Sequence, residues 1–538
     1  MSDVKNEFNQ YFILHFYIFV FVIIFSSCIN REHESSEIKT VFRYNESAGI
    51  TSLDPAFSKD QANIWAVNQI FNGLLQLDDN LNIKPCIAKK WDISPDGRIY
   101  TFHLRNDVFF QDHKLFKNGK GRRVVASDFL YSFRRLLDPK IASPGAWIFN
   151  NLNTSENKDD FNFKVLDDST FLIKLKQPFP PFLGLLTMQY CSVVPREIVE
   201  YYGKDFRKNP VGTGPFKFKL WKEGNKLILV KNPDYFESEN NKRLPYLDAI
   251  TISFIVDKQT AFLLFVQGKL DFLSGLDASY KDELLTKTGD LNPKYKDRFN
   301  FQSIPYLNTE YLGILVDEKL PLVQHSPLKL KQIRQAINYG FDREKMMRYL
   351  RNNIGTAANS GFVPKGLPSF SSEIVNGYEY NPAKTKELLR SAGYPEGKGL
   401  PPITICTTSS YLDICEYIQH KLTEEGFNIK IEVNQAATLR EMIAMSKINF
   451  FRGSWIADYP DAENYLLLFY SKNFSPKGPN YTHFSNPQYD KLYEQAQREL
   501  NDSLRYCLYR QMDKIIVDEA PVVFLYYDQV LRFTSKNI

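Results

Sequence analysis

Hydrophobic and polar positions alternate in two stretches that read as half-buried strands. In the first, Tyr100, Phe102 and Leu104 face away from Thr101, His103 and Arg105; in the second, Phe216, Phe218 and Leu220 alternate with lysines. A Glu223-Gly224-Asn225 turn and an apolar run over 227–230 make the second a hairpin. Gly212 and Gly214 allow a tight turn ahead of it. They are not a phosphate-cradling loop, because Pro215 and a strand follow where a helix would have to open. Further strands are expected over 40–44, 246–256 and 268–273, with helices over 61–75 and 259–267. Ser127 is expected to cap a helix that carries Phe129, Phe133, Leu136 and Leu137 on one face and stops at Asp138-Pro139.

A second half opens near Tyr306. Leu330, Ile333, Ala336 and Ile337 recur at helical spacing up to Gly340, Asp342 caps the next helix, and Asn381-Pro382 starts one that Gly393 ends. Strands over 403–407 and 429–433 flank a helix over 414–425, a unit that implies a parallel sheet. A strand over 450–454 follows, so the next residues lie at a strand's carboxyl end, where open α/β sheets bind ligands. Those residues are Trp455-Ile456-Ala457-Asp458-Tyr459-Pro460-Asp461. Pro460 holds Tyr459 extended and has no N–H to give a helix or sheet, and Asp461 caps a helix near Ala462 that buries Tyr465, Leu466, Leu468 and Phe469. Asp458 then stands at the tip of a loop pinned at both ends, a candidate ligand anchor. Plain turn and cap roles for the two aspartates fit the same local pattern.

At 538 residues, 43% hydrophobic and 24% charged, the chain is globular and too long for one core, which implies two or three domains. Its 67 basic and 62 acidic residues are mixed along the length without a basic face, which sets nucleic acid aside as a partner. The apolar run over 11–25 is shorter than the roughly 20 residues of a spanning helix and ends in Phe25-Ser26-Ser27-Cys28. Small residues ahead of a cysteine resemble a bacterial lipobox, making residues 1–27 a signal peptide, Cys28 the lipid-attachment residue and residues 28–39 a polar tether. Asp3, Glu7 and Phe25 depart from the usual leader, and an ordinary signal peptide is the alternative. The other cysteines (Cys86, Cys191, Cys406, Cys415 and Cys507) are widely spaced and show neither a disulfide framework nor a zinc pattern.

Five blocks, taken in order, resemble the bacterial solute-binding proteins of peptide ABC transporters, extracellular solute-binding protein family 5. They are Leu53-Asp54-Pro55; residues 87–104 running on to 126–139; residues 209–216; residues 333–343 with 392–402; and residues 455–467. The resemblance implies an α/β, two-lobed periplasmic-binding-protein-like fold with mixed sheets, a hinge between the lobes and an additional subdomain in the first lobe. It implies an extended peptide enclosed between the lobes, its α-ammonium on Asp458, with Trp455 and Tyr459 beside it. It further implies that Arg452 can meet the carboxyl end of a short peptide, a strand-edge surface charge being the alternative. Trp147, in a loop matching one that lines the cleft, is read either as a pocket residue or as a core aromatic.

The expected division is lobe I over 40–82, its extra subdomain over 83–208, lobe I again over 209–305, lobe II over 306–505 and a shortened lobe I closing segment over 506–538. The expected partners are a peptide, the permease subunits of an importer and the membrane through the lipid anchor. The protein is expected to be a monomer in the cell envelope, without cofactor or metal. An enzyme is a poor fit, since neither HExxH nor GxSxG occurs and the 7 histidines show no ligand spacing. The same fold binding a nickel complex, haem or oligosaccharide stays open at this point, as does a surface sensor or adhesion lipoprotein.

Overall fold

The computed structural model describes residues 40–152, 163–277 and 279–538. The expected leader, Cys28 and the tether lie outside the described residues. The first half contains β1 (Val41–Asn45), α1 (Gln61–Ile70), β2 (Ala88–Ile93), β3 (Ile99–Leu104), α2 (Ala126–Leu137), β4 (Phe163–Asp167) and β5 (Thr170–Lys174). The hairpin β6 (Phe216–Lys222) and β7 (Lys226–Lys231), then β8 (Ala249–Ser253), α3 (Lys258–Val266) and β9 (Phe272–Ser274), complete it. After the long β10 (Phe299–Ile314) come α4 (Lys331–Tyr339), α5 (Pro382–Ser391), β11 (Ile403–Thr407), α6 (Leu412–Glu424) and β12 (Ile429–Val433). The chain ends through α7 (Ala436–Ala444), β13 (Phe450–Ile456), α8 (Pro487–Ala496), α9 (Asp502–Glu519) and the long β14 (Val522–Ser535).

One mixed sheet runs through both lobes in the order β12-β11-β13-β10-β14-β9-β1-β8-β7-β6. The antiparallel pair β10 and β14 carries it from one lobe to the other, and its register slips between Pro305 and Thr309 and again between Glu310 and Tyr311. Pro305 donates no ladder hydrogen bond, so the slip falls where the pairing is weakest and the sheet can bend. Residue 306, where the sequence reading opens the second lobe, lies in this irregular stretch.

The subdomain has its own antiparallel sheet, β2-β3-β5-β4. It nevertheless shares one core with the rest of the first lobe, since Tyr100, Phe129, Phe133 and Phe171 pack in the same cluster as Leu53, Val67 and Ile252. In the second lobe, Ile333, Ile337, Ile405, Ile418 and Phe450 form one cluster, while Tyr465, Phe469, Tyr489, Tyr509 and Met512 form another. Each such side chain contributes about 1.5–3 kcal/mol relative to exposure.

Several expectations are corrected. The helix expected over 61–75 ends at Ile70, because Phe71 turns extended and residues 75–77 pair as a strand with 83–85. Ser127 is not the cap of α2; Val125 is, its N–H donating to the Asp128 carboxylate, which Arg122 also holds. Leu220 is exposed rather than in register with Phe216, because a bulge between Phe218 and Leu220 reverses the alternation. Residues 506–538 do not simply return to the first lobe. Tyr509, Met512, Ile516 and Phe524 belong to the second lobe's core, and only the end of β14, with Leu531 and Phe533, packs beside β9.

Candidate functional site

The loop that follows β13 faces the first lobe. Along the strand, Arg452 to Ile456 pair with Leu312 to Asn308 of β10 on one side. On the other side β11 reaches only Phe451, through Cys406, so among the described residues no strand pairs with that edge of Arg452 to Ile456. Gly453 is required here by close approach, since a Cβ would meet the Tyr311 ring at 2.7 Å.

Asn464, 2% exposed, organises the loop. Its Oδ1 accepts from Trp455 Nε1 at 3.1 Å and from the Asp458 backbone N–H at 3.0 Å, and its Nδ2 donates to Asp458 Oδ2 at 3.4 Å. One buried amide thus sets the indole and the carboxylate together. The cap position of the following turn is Ala462 rather than Asp461, which stands one residue earlier, accepts from the Glu463 N–H at 2.9 Å and lies 3.6 Å from Arg505. The helix that follows is only one turn, Glu463–Leu466, followed by a 3₁₀ turn.

Asp458 itself is open to solvent. Among the described residues its side-chain hydrogen-bond partner is the Asn464 amide, and desolvation raises its pKa while that amide lowers it. No ion pair of the described residues reaches it. Across the crevice, Tyr190 of the first lobe feels its charge: burial first, then the Asp458 and Asp60 carboxylates, push the phenol up to about 12. An acid without a cation, kept from full hydration between two lobes, suits a cationic ligand group.

Tyr459 is 5% exposed and, although it follows a second-lobe strand, packs within the first lobe's core cluster. Its ring lies 6.3 Å from Trp147, and a Cβ on Gly184 would touch Tyr459 and Pro460 at 3.9 and 4.0 Å. Its hydroxyl donates to the buried Glu463, which also accepts from Tyr493 and, at 3.0 Å, from Gln497 Nε2. Burial raises the Glu463 pKa and these donors lower it. Trp147 fits both of its expected descriptions: it packs against the first core and lines a cavity of about 500 Å³ between the lobes.

Arg452 is not a surface charge on a strand edge. Its Nη2 donates to Glu310 of β10, and its guanidinium stands 3.3 Å from the centre of the Tyr411 ring. The structure therefore brings Tyr459 and Trp147 together at the lobe boundary and Asp458 near enough to Tyr190 to act on it, whereas Trp455 packs on the second lobe's core, Arg452 lies further back along the strand, and neither of these two nor Asp458 lines that cavity. Asn464, Glu463, Glu310 and Tyr190 were missed by sequence reasoning, since their partners lie on other elements or follow from no recognisable spacing.

A sheet bent between two lobes, with an unpaired acid on the facing wall, defines a two-lobed solute-binding protein. The chain belongs to the bacterial extracellular solute-binding proteins, family 5, whose middle-region profile matches residues 82–477. It is 27% identical over 526 residues to the dipeptide-binding protein DppE of Bacillus subtilis (strain 168), covering 94% of this chain and 90% of that one. It is 26% identical over 497 residues to the glutathione-binding protein GsiB of Salmonella typhi, covering 91% and 90%. Among solved structures it is similar to the periplasmic binding protein DppA of Helicobacter pylori in complex with peptide STSA, with TM-score 0.70, 27% identity and coverage of 92% and 94%.

Proposed function

We propose that this protein is the substrate-binding component of a peptide ABC importer, enclosing an extended peptide between its lobes and delivering it to a membrane permease. The observation that carries the reading is the cation-less Asp458 at the end of a strand whose outer edge is free. A peptide laid along Arg452 to Ile456 pairs its backbone with that edge whatever its side chains, in the manner of strand addition. Its α-ammonium then meets Asp458, which sets the register, with Trp455 and Tyr459 framing the position. Enclosure by both lobes gives the ligand more contacts in the closed form than in the open one, which shifts the hinge toward closure. The relatives named for dipeptide and glutathione binding support an amine-bearing peptide ligand. In this reading no residue has a catalytic role.

The reading extends to the cell envelope, with Cys28 acylated and residues 28–39 as the tether, and with a monomeric binding domain. No described helix is long and apolar enough to cross a membrane. Native mass spectrometry of the protein lacking residues 1–28 is expected to show co-purified peptides released on mild denaturation. Purified protein that carries none, and binds none from a peptide mixture, sinks the proposal. Cys28→Ala is expected to leave the membrane fraction, and its retention there refutes the anchor.

A further inference from the structure

We infer that Glu310 is a built-in counter-ion that removes Arg452 from ligand binding, so that the site takes peptides whose carboxyl end runs past Arg452 and turns away those that end on it. The inference rests on the peptide reading above and concerns which peptides the same site accepts.

The free edge has Asp458 beyond one end and Arg452 at the other. Its five residues span about 13 Å at roughly 3.3 Å per residue and Asp458 lies two residues beyond, so a ligand strand anchored by its ammonium reaches Arg452 only after about five to seven residues. A free carboxylate ending there would need an unpaired cation. Arg452 is already ion-paired: Glu310, whose side chain is 3% exposed, takes its Nη2, while the Arg452 side chain is 14% exposed and its Nε is buried without a hydrogen-bond partner. The Tyr411 ring covers the face of the guanidinium.

The neighbouring charges do not restore an anion site. Asn308 Nδ2 donates to Glu310 at 3.0 Å and lies 3.4 Å from Asp528 Oδ2. Arg351, over the Tyr526 ring, interacts with both Asp528 and Glu310. Two arginines are thus balanced by two carboxylates, in surroundings that include Tyr411 and Tyr526. An incoming carboxylate would have to displace Glu310 and leave it buried without its partner, a strongly unfavourable exchange. A neutral peptide unit passing the same point displaces nothing.

The test is a ladder of alanine peptides, dipeptide to octapeptide, each as free acid and as C-terminal amide, titrated by calorimetry into the wild-type protein and Glu310→Gln. The wild type is expected to bind the acid at least about tenfold more weakly than its amide at the length that ends on Arg452, and the two forms within about threefold at greater lengths. Glu310→Gln frees Arg452, so at the length that ends there the acid is expected to bind at least about tenfold more tightly than its amide. Glu310→Asp, which keeps a charge but draws it back by one methylene, is expected to show an intermediate preference and serves if the glutamine variant does not fold. A wild-type preference for the acid at any short length overturns the inference, and so does a folded variant whose acid and amide bind equally at all lengths. If no member of the ladder binds any of the proteins, the peptide reading fails and takes the inference with it.

Discussion

Replacing Asp458 by asparagine tests the anchor with the least disturbance. The substitution keeps the shape of the side chain and an oxygen for the Asn464 amide, which now donates at 3.4 Å, so the loop and Trp455 are expected to hold their places. What is lost is a charge facing the ligand's ammonium. A hydrogen bond to a charged group contributes roughly 1.5–3 kcal/mol net. Asp458 is open to solvent, so screening keeps the loss in the lower half of that range. A loss of about 1.5–2 kcal/mol weakens binding by roughly 10–30-fold. Calorimetry with paired free-amine and N-acetylated peptides reads it: the wild type discriminates by about that factor and Asp458→Asn by almost nothing. The pH dependence has a definite sign. In the empty protein the carboxyl titrates above its ordinary 3.8, and a bound ammonium favours the charged form. Affinity for free-amine peptides therefore falls as pH drops through that raised pKa, while the variant shows no such fall. Equal discrimination between amine and acetylated peptides in the two proteins would refute the anchor.

Three further outcomes follow from neighbouring contacts. Asn464→Ala leaves Trp455 Nε1 and the Asp458 N–H without their acceptor, so urea unfolding is expected to show a loss of about 1–3 kcal/mol and peptide affinity to fall less than for Asp458→Asn; unchanged stability refutes the organising role. Tyr459→Ala removes the ring that packs on Trp147 and in the first lobe's core, so small-angle scattering of the ligand-free protein is expected to show a more open shape, whereas Tyr459→Phe retains closure and loses only a donor to Glu463. Burial pushes the Asp513 carboxyl up to about 7 against the backbone N–H groups of Phe362 and Val363. The folded chain then holds a proton that the unfolded chain has lost, so stability falls as pH rises from about 3.8 to about 7 by at most roughly 1.4 kcal/mol per pH unit; Asp513→Asn removes that slope, and an identical slope in both proteins contradicts the assignment.

Much of the fold was legible because local chemistry and packing agree. Asn381 and Asp342 cap their helices as such residues do, and the strand-helix-strand unit 403–433 pairs in parallel as its crossover helix requires. The failures have a common cause. Phe71 leaves the helix and Leu220 leaves its face because tertiary partners override a local period, through the approach of the 186–191 backbone to Gly73 and the bulge in β6. The course of residues 506–538 differs from the expectation because α9 packs Tyr509, Met512 and Ile516 with Tyr489 and Tyr493 of α8, the helix just before it, in the second lobe's core. At the site, the loop carrying Asp458 was legible, since Pro460 and Asp461 limit what that loop can be, whereas the local pattern fitted a turn role for Asp458 as well as a ligand role. Asn464 was not: an amide near the start of a helix reads as a surface residue until its three partners converge on it. Glu310 was hidden for a similar reason, as its pairing with Arg452 depends on the register of two strands 142 residues apart.

The placement of Tyr459 bears on how ligand binding is felt at the hinge. β13 is bonded along its length to β10, one of the two strands that bend between the lobes, so the loop after it is carried rigidly by the second lobe. That same loop sends Tyr459 into the first lobe's core, and Glu463, itself held by Tyr493 and Gln497, accepts from its phenol. Tyr459 thus links the two lobes by a protein contact, and a peptide adds the difference between its contacts in the two forms. Asp458 is the group best placed to supply that difference, because its charge is uncompensated and its neighbours across the crevice, Tyr190 among them, belong to the other lobe. Under the proposed peptide reading Tyr459 and Asp458 divide adjacent tasks: the ring links the lobes, and the carboxylate would make their closing depend on an amine.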